Sequence, residues 1–168
     1  LYEARYFFAR LRFTRGELEQ AVEQFTAAGR AREDHDAEFF AAQSLAALGR
    51  APEAEAAYRR ALAIGRDHIA LNPDDARAAT ICAVAACRLG DRREGLSWAE
   101  RARTIQSDDP GVMYNLACLY ALEGESEMAL DCLENAVRNG FGNRDWISHD
   151  PDLDALRALP RFKALVRG

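Results

Sequence analysis

The chain has 168 residues, room for one good core at roughly 150 residues per domain. Hydrophobic residues make up 49% and charged residues 29%, the balance of a globular chain rather than a disordered one. A net charge of −5, from 22 basic and 27 acidic residues, argues against a nucleic-acid partner, which normally demands a basic face. The longest apolar run, ICAVAAC at 81–87, falls far short of the ~20 residues a membrane span needs. No basic-then-apolar leader opens the chain, so neither a secretory signal nor a membrane partner is expected. The sequence opens on Leu1 rather than Met, as a fragment would.

Taken in chain order, the helices are punctuated by glycine. Alanine stands seven residues before each of Gly16, Gly49, Gly90 and Gly124, at Ala9, Ala42, Ala83 and Ala117. Alanine also stands twelve residues after each, at Ala28, Ala61, Ala102 and Ala136. The fifth position after is small (Ala21, Ala54, Gly95, Ala129), and the ninth is mostly large (Phe25, Tyr58, Ala99, Leu133). With 33 alanines in 168 residues, eight matches in eight places mark a repeat rather than chance. The glycine ends a first helix because it enters the left-handed region at little cost. Small residues belong where two helices cross, since a larger side chain there would push the backbones apart.

The four glycines lie 33, 41 and 34 residues apart. A period of ~34 residues is that of two antiparallel helices. The string Leu116, Ala117, Tyr120, Gly124, Ala129, Leu133, Ala136 resembles the tetratricopeptide-repeat motif, and the resemblance extends over nearly the whole chain. It implies an all-α fold, a right-handed superhelical stack of about four helix-turn-helix units. These would span about 2–32, 33–73, 74–109 and 110–143, an array over 1–143, with capping helices over 144–168. The first unit departs from the motif at Arg12, where an aromatic is usual, and the third is undersized at Ala86, Gly95 and Ala99.

The 41-residue interval exceeds the usual period by seven residues, close to two helical turns. An added segment of that length returns the chain to nearly the same face. No breaker interrupts the stretch from Pro52 to Asn72, which predicts one elongated helix with Arg66, Asp67 and His68 near its overhang. A short loop around Gly65 is the alternative, because an interior glycine costs about 1 kcal/mol.

Beyond the fourth unit, Gly140 and Gly142 break the helix, and Trp146 and Ile147 are candidate apolar anchors. Asp150-Pro151 has the chemistry of a helix start. Leu153, Leu156, Leu159, Phe162, Leu165 and Val166 form an apolar stripe able to cover the last repeat, whose second helix carries Met128, Leu130, Leu133 and Val137. Repeat stacks need such a cap. The tail resembles the terminators of tetratricopeptide arrays in bacterial multidomain regulators, nucleotide cyclases and serine/threonine kinases, although Leu159 replaces an acidic residue.

Chemistry-bearing motifs are missing from the sequence. Cys82, Cys87, Cys118 and Cys132 form no CxxC pair and read as buried small hydrophobes in a reducing cytoplasm. His35, His68 and His149 are scattered, and neither a metal nor a cofactor is expected. A calcium loop over DPDLD would need glycine at Ala155 and glutamate at Arg161. No phosphate loop, GxSxG, HExxH or oriented Cys/His pair occurs, so the chain reads as non-enzymatic. The doublets Arg59-Arg60 and Arg92-Arg93 read as solvated helix faces.

Binding remains. In the family it resembles, first helices line a concave groove that takes peptides or partner helices. The matching columns lie ten, six and three residues before each glycine. From them, with Arg77 three positions earlier, come the groove candidates Tyr6, Arg10, Phe13, Phe39, Gln43, Arg77, Thr80 and Tyr114. Aromatic residues and arginine are the types enriched in binding hot spots. The clamp that related domains use for acidic chaperone tails would fall on Tyr6, Arg10, Phe40, Arg77 and Ile81, where only Arg77 fits by type. The leading expectation is a protein-interaction scaffold whose partner is another protein or a peptide. A regulatory domain acting in cis within a larger bacterial cyclase or kinase is the alternative. An unfamiliar enzyme and a nucleic-acid-binding repeat are the contrasting classes.

Overall fold

A computed structural model describes residues 2–142 and 144–167, with ten α-helices, one 3₁₀ helix and no strand among the described residues. The helices are α1 (Tyr2–Thr14), α2 (Leu18–Ala31), α3 (His35–Ala47), α4 (Ala51–Leu71), α5 (Ala76–Arg88), α6 (Arg92–Ile105), α7 (Pro110–Leu122) and α8 (Ser126–Arg138). The tail holds α9 (Arg144–His149), the 3₁₀ helix η1 (Pro151–Leu156) and α10 (Pro160–Arg167). The chain divides into two compact units, one running to Gly95 and the other from Leu96, so the division falls inside α6. The expected array-to-cap boundary at residue 143 lies outside the described residues.

The glycine punctuation has the expected geometry. Gly124 has φ 79°, a left-handed conformation that L side chains rarely adopt, and the same turn recurs at Gly16, Gly49 and Gly90 with φ of 73°, 74° and 87°. After each, the next amide donates back five residues, as Glu125 N does to the Tyr120 carbonyl at 2.8 Å. This satisfies carbonyls that a helix end would otherwise leave unpaired. All eight alanines of the two alanine columns have no exposed surface. Such complete burial is what the spacing predicts for points where helices cross.

In the first unit, α1 to α5 pack each on the next. Its N-terminal core gathers Ala9, Ala21, Phe25 and Ala41, with Tyr6, Phe13 and Phe40 packed against them. Helix α4 is continuous over 21 residues, against 13 for α3 and α5. The elongated helix is therefore the correct reading and the loop around Gly65 is not. A Cβ on Gly65 would come within 2.6 Å of Cys82 Sγ, so the glycine allows α4 to lie close on α5. Near the helix end, Arg66 Nε donates to Glu94 at 2.8 Å. At Gly95 a Cβ would stand 2.9 Å from the Ala83 carbonyl, which makes the undersized residue of the third repeat a packing requirement.

In the second unit, α7 and α8 form a hairpin covered by the tail. Ile147, Leu153, Leu156 and Phe162 are buried, together with Met113, Leu116, Leu130 and Leu133 of the hairpin. Asp150 begins the tail helix as expected, accepting from the Asp152 amide at 2.9 Å, but the helix it starts is 3₁₀. Over this last repeat η1 rests chiefly on α7 and also touches α8, and α10 touches α8. Arg161 ties α10 to α8 through Glu127, Asp131 and Glu134 at 2.8, 2.7 and 2.9 Å. Of the two candidate anchors, Trp146 is 58% exposed, while its neighbour Ile147 is fully buried.

Candidate binding groove

The candidate residues near the N-terminus meet around an open concavity of about 600 Å³ in the first unit. Tyr6, Phe7, Arg10, Leu11 and Thr14 supply one wall from α1, Asp36 comes from α3 and Arg77 from α5. They converge because successive first helices present the same positions of the repeat. Asp36 and Arg77 both stand thirteen residues before their glycines. Arg77 donates through Nε and Nη2 to Asp36 Oδ1 at 3.0 and 2.7 Å, and Nη2 also reaches the Tyr6 hydroxyl at 3.4 Å.

Electrostatics follow from this packing. Burial, and then the negative charge of Asp36, push the Tyr6 phenol above its ordinary range, while Arg77 and Arg10 pull the other way. Tyr6 keeps its proton at neutral pH and can donate a hydrogen bond. Its ring packs edge-on against buried Phe25 with centroids 5.9 Å apart. Arg10 lies 4.2 Å over the Phe40 ring, which holds the guanidinium plane in place by cation–π attraction. Phe40 in turn stacks on Phe25 and meets Phe13 edge-on. Phe7 and Leu11 remain exposed beside this ordered floor.

The other candidates lie elsewhere. Phe13 is partly buried in the α1–α3 aromatic cluster. Gln43 is half-buried on α3. Phe39 is buried and packs on Tyr58. Thr80 is buried, with its hydroxyl donating to the Ala76 carbonyl at 2.8 Å. Tyr114, in the second unit, is buried under Phe141, stacked 4.2 Å away, and its hydroxyl donates to Asp150. Phe7, Leu11, Thr14 and Asp36 were not among the sequence candidates. The Asp36–Arg77 pairing was legible as a shared repeat position, whereas the exposed flank of α1 has no signal in the period.

The cysteines of the second unit are poor nucleophiles. Burial pushes the Cys132 thiol up to about 11, and burial with the charge of Asp150 pushes Cys118 higher still. Neither forms the thiolate that cysteine chemistry requires near neutral pH.

Residues 36–60 and 110–139 each match the tetratricopeptide repeat. A crystal structure of TTC0263, a thermophilic TPR protein of Thermus thermophilus, shares the fold at a TM-score of 0.70 and 17% identity, covering 98% of this chain and 86% of that one. Those two segments are tetratricopeptide repeats, and the fold is one that tetratricopeptide-repeat proteins share. MamA (41 to the end) of Desulfovibrio magneticus RS-1 has a TM-score of 0.52 at 17% identity, over 99% of this chain and 89% of that one. A chloroplastic protein of Arabidopsis thaliana is 29% identical over 92 aligned positions, covering 46% of this chain and 28% of that protein. The chain thus spans under a third of the length of that curated relative. Among the described residues, no helix is long and apolar enough to cross a membrane.

Proposed function

We propose that the chain is a non-catalytic interaction module whose first unit holds an extended peptide or a helix of a partner protein in the groove between Phe7, Tyr6, Arg10 and Arg77. The tetratricopeptide fold, generally a protein-interaction scaffold, supports the class of function. One observation carries the site: exposed Phe7 and Leu11 stand beside two arginines and a tyrosine held in place by Phe40, Asp36 and Phe25. Fixed aromatic and arginine side chains lose little entropy on binding and are the types found at hot spots. The ligand that fits is a segment with an apolar anchor followed by a carboxylate. Arg10 offers that carboxylate its in-plane N–H groups, while the charge of Arg77 is already engaged by Asp36. Net charge of −5 supports a protein rather than a nucleic-acid partner, and four cysteines with no disulfide among the described residues support a cytoplasmic setting.

Selection from a random peptide display library tests the reading. Enriched peptides are expected to pair an aromatic or aliphatic residue with Asp or Glu. Their affinity should fall about 5- to 30-fold in Phe7→Ala and Arg10→Ala, the range of about 1–2 kcal/mol per hot-spot truncation. Enrichment that is equal for the wild type and the double variant would remove the groove from consideration. The likeness of the tail to regulator terminators favours, as a second occupant, an effector domain of the same polypeptide; the full-length sequence distinguishes the two.

A further inference from the structure

The fold brings together two histidines that the sequence leaves 33 positions apart. His35, the first residue of α3, is buried, and its ring centroid lies 4.7 Å from that of His68. His68 Nε2 is 2.8 Å from Asp75 Oδ2. The ligand atoms of His35, His68 and Asp75 all lie within 4.8 Å of one another. Three separate elements contribute: the start of α3, the last turns of α4 and the residue capping α5.

Two further observations make this more than a chance meeting. The first is the seven-residue excess of the second repeat. Shortened by seven, α4 would end at about residue 64, before His68 is reached, since ~3.6 residues make one turn. The two added turns are what carry an imidazole to His35. The second is the division of labour at Asp75. Its Oδ1 accepts the Ala78 amide at 2.9 Å, which fixes the carboxylate and directs Oδ2 at His68. His35 forms the inner wall, with 10% of its side chain exposed, whereas His68 and Asp75 are one-third exposed and open the site to solvent. Asp36 Oδ2, 4.0 Å from His35 Nε2, adds negative charge nearby.

We propose that His35, His68 and Asp75 form a site for a divalent cation of the zinc class, held by two imidazole nitrogens and one carboxylate oxygen, with solvent completing the shell. That donor set suits zinc and its borderline neighbours, and three protein ligands with one open position is a recurrent zinc arrangement. Metal–ligand bonds of about 2.0–2.2 Å in a tetrahedron place ligand atoms about 3.3–3.6 Å apart. One pair at 2.8 Å and all three atoms within 4.8 Å of one another bracket that spacing, so small side-chain adjustments would close the site. On binding, His68 Nε2 gives up the hydrogen it shares with Asp75, which moves to Nδ1 or to solvent, and both atoms turn to the metal. Because each ligand comes from a different helix, the ion would fasten α3, α4 and α5 together at one point.

Cobalt(II), a spectroscopic stand-in for zinc, tests this on the full chain. One equivalent should bind with the visible absorption of a four- or five-coordinate ion, without a thiolate-to-cobalt charge-transfer band, and zinc should displace it. His68→Gln, at the surface, and Asp75→Asn, which keeps the amide-capping oxygen, should each weaken binding more than about tenfold, the least that even outer-shell partners contribute. Far-UV circular dichroism of both variants should match the wild type, and agreement in either one suffices to read the result. Absence of saturable binding, a sulfur charge-transfer band, or undiminished affinity in both variants would overturn the site.

Discussion

Tyr6 and Tyr114 stand at one and the same position of the repeat, ten residues before their glycines, yet they do different things. Tyr6, half-buried, borders an open groove and shares it with Arg77 and Asp36. Tyr114 is 7% exposed, roofed by Phe141 and bonded through its hydroxyl to Asp150. The tail is the cause. In the second unit η1 packs where α7 would otherwise face solvent, and it brings Asp150 to the phenol. In the first unit, the flank of α1 keeps Phe7, Phe8 and Leu11 exposed. Register sets where a side chain points; what lies over it decides whether it is sealed into the fold or stays open to solvent.

The largest effect expected from breaking this contrast comes from deleting the residues after Asn143. Ile147, Leu153, Leu156 and Phe162 are buried, and each such side chain is worth about 1.5–3 kcal/mol. A domain commonly has only about 5–15 kcal/mol in hand, so the shortened protein should melt far lower and self-associate. Thermal melts with sizing chromatography check this; an unchanged midpoint with a monomeric elution would make the tail a mere appendage. Next comes Ala117→Leu, at a crossing with no exposed surface, expected to destabilise by about 1–3 kcal/mol in urea titration through overpacking. Neutrality there would mean that α7 and α8 do not cross at this alanine.

Smaller effects sharpen the comparison. Asp150→Asn weakens the acceptor of a buried phenol and should cost about 1 kcal/mol. Asp36→Asn loosens an ion pair with exposed Arg77 and should cost under about 1 kcal/mol. Equal losses in the two would show that Tyr114 is no better held than Tyr6. Smallest of all, Phe7→Ser should change stability by no more than about 0.5 kcal/mol, as an exposed substitution does, while weakening any peptide selected on the groove. A marked drop in its melting point would identify Phe7 as part of the core.

The periodic parts of the molecule were the legible ones. Alanine and glycine columns fixed the crossings and turns, because close approach and positive φ admit few residue types. The elongated α4 followed from counting turns. Within the groove columns, Tyr6 and Arg10 border the open concavity, whereas the burial of Phe39, Thr80 and Tyr114 was not legible. A column states an orientation and is silent about Tyr58, the Ala76 carbonyl or the tail that covers it. Asp150-Pro151 announced a helix start without saying that the helix would be 3₁₀. The meeting of His35 with His68 depends on how far α4 extends and what it touches there, which no local pattern expresses.

Helices α3, α5, α7 and η1 each begin with the same marker. Asp34, Asp75, Asp109 and Asp150 accept an amide two or three residues on, at 2.8, 2.9, 2.7 and 2.9 Å. The glycine turns close with bonds spanning five residues. Boundaries are thus written in strings a few residues long, and the helices they delimit pack mostly on their sequence neighbours. Chains of this kind search little conformational space before native contacts form, and a repeat can fold before its distant parts are made. A nascent chain emerging from the ribosome would therefore shelter its alanine-rich hairpins one at a time, exposing little sticky surface while synthesis continues.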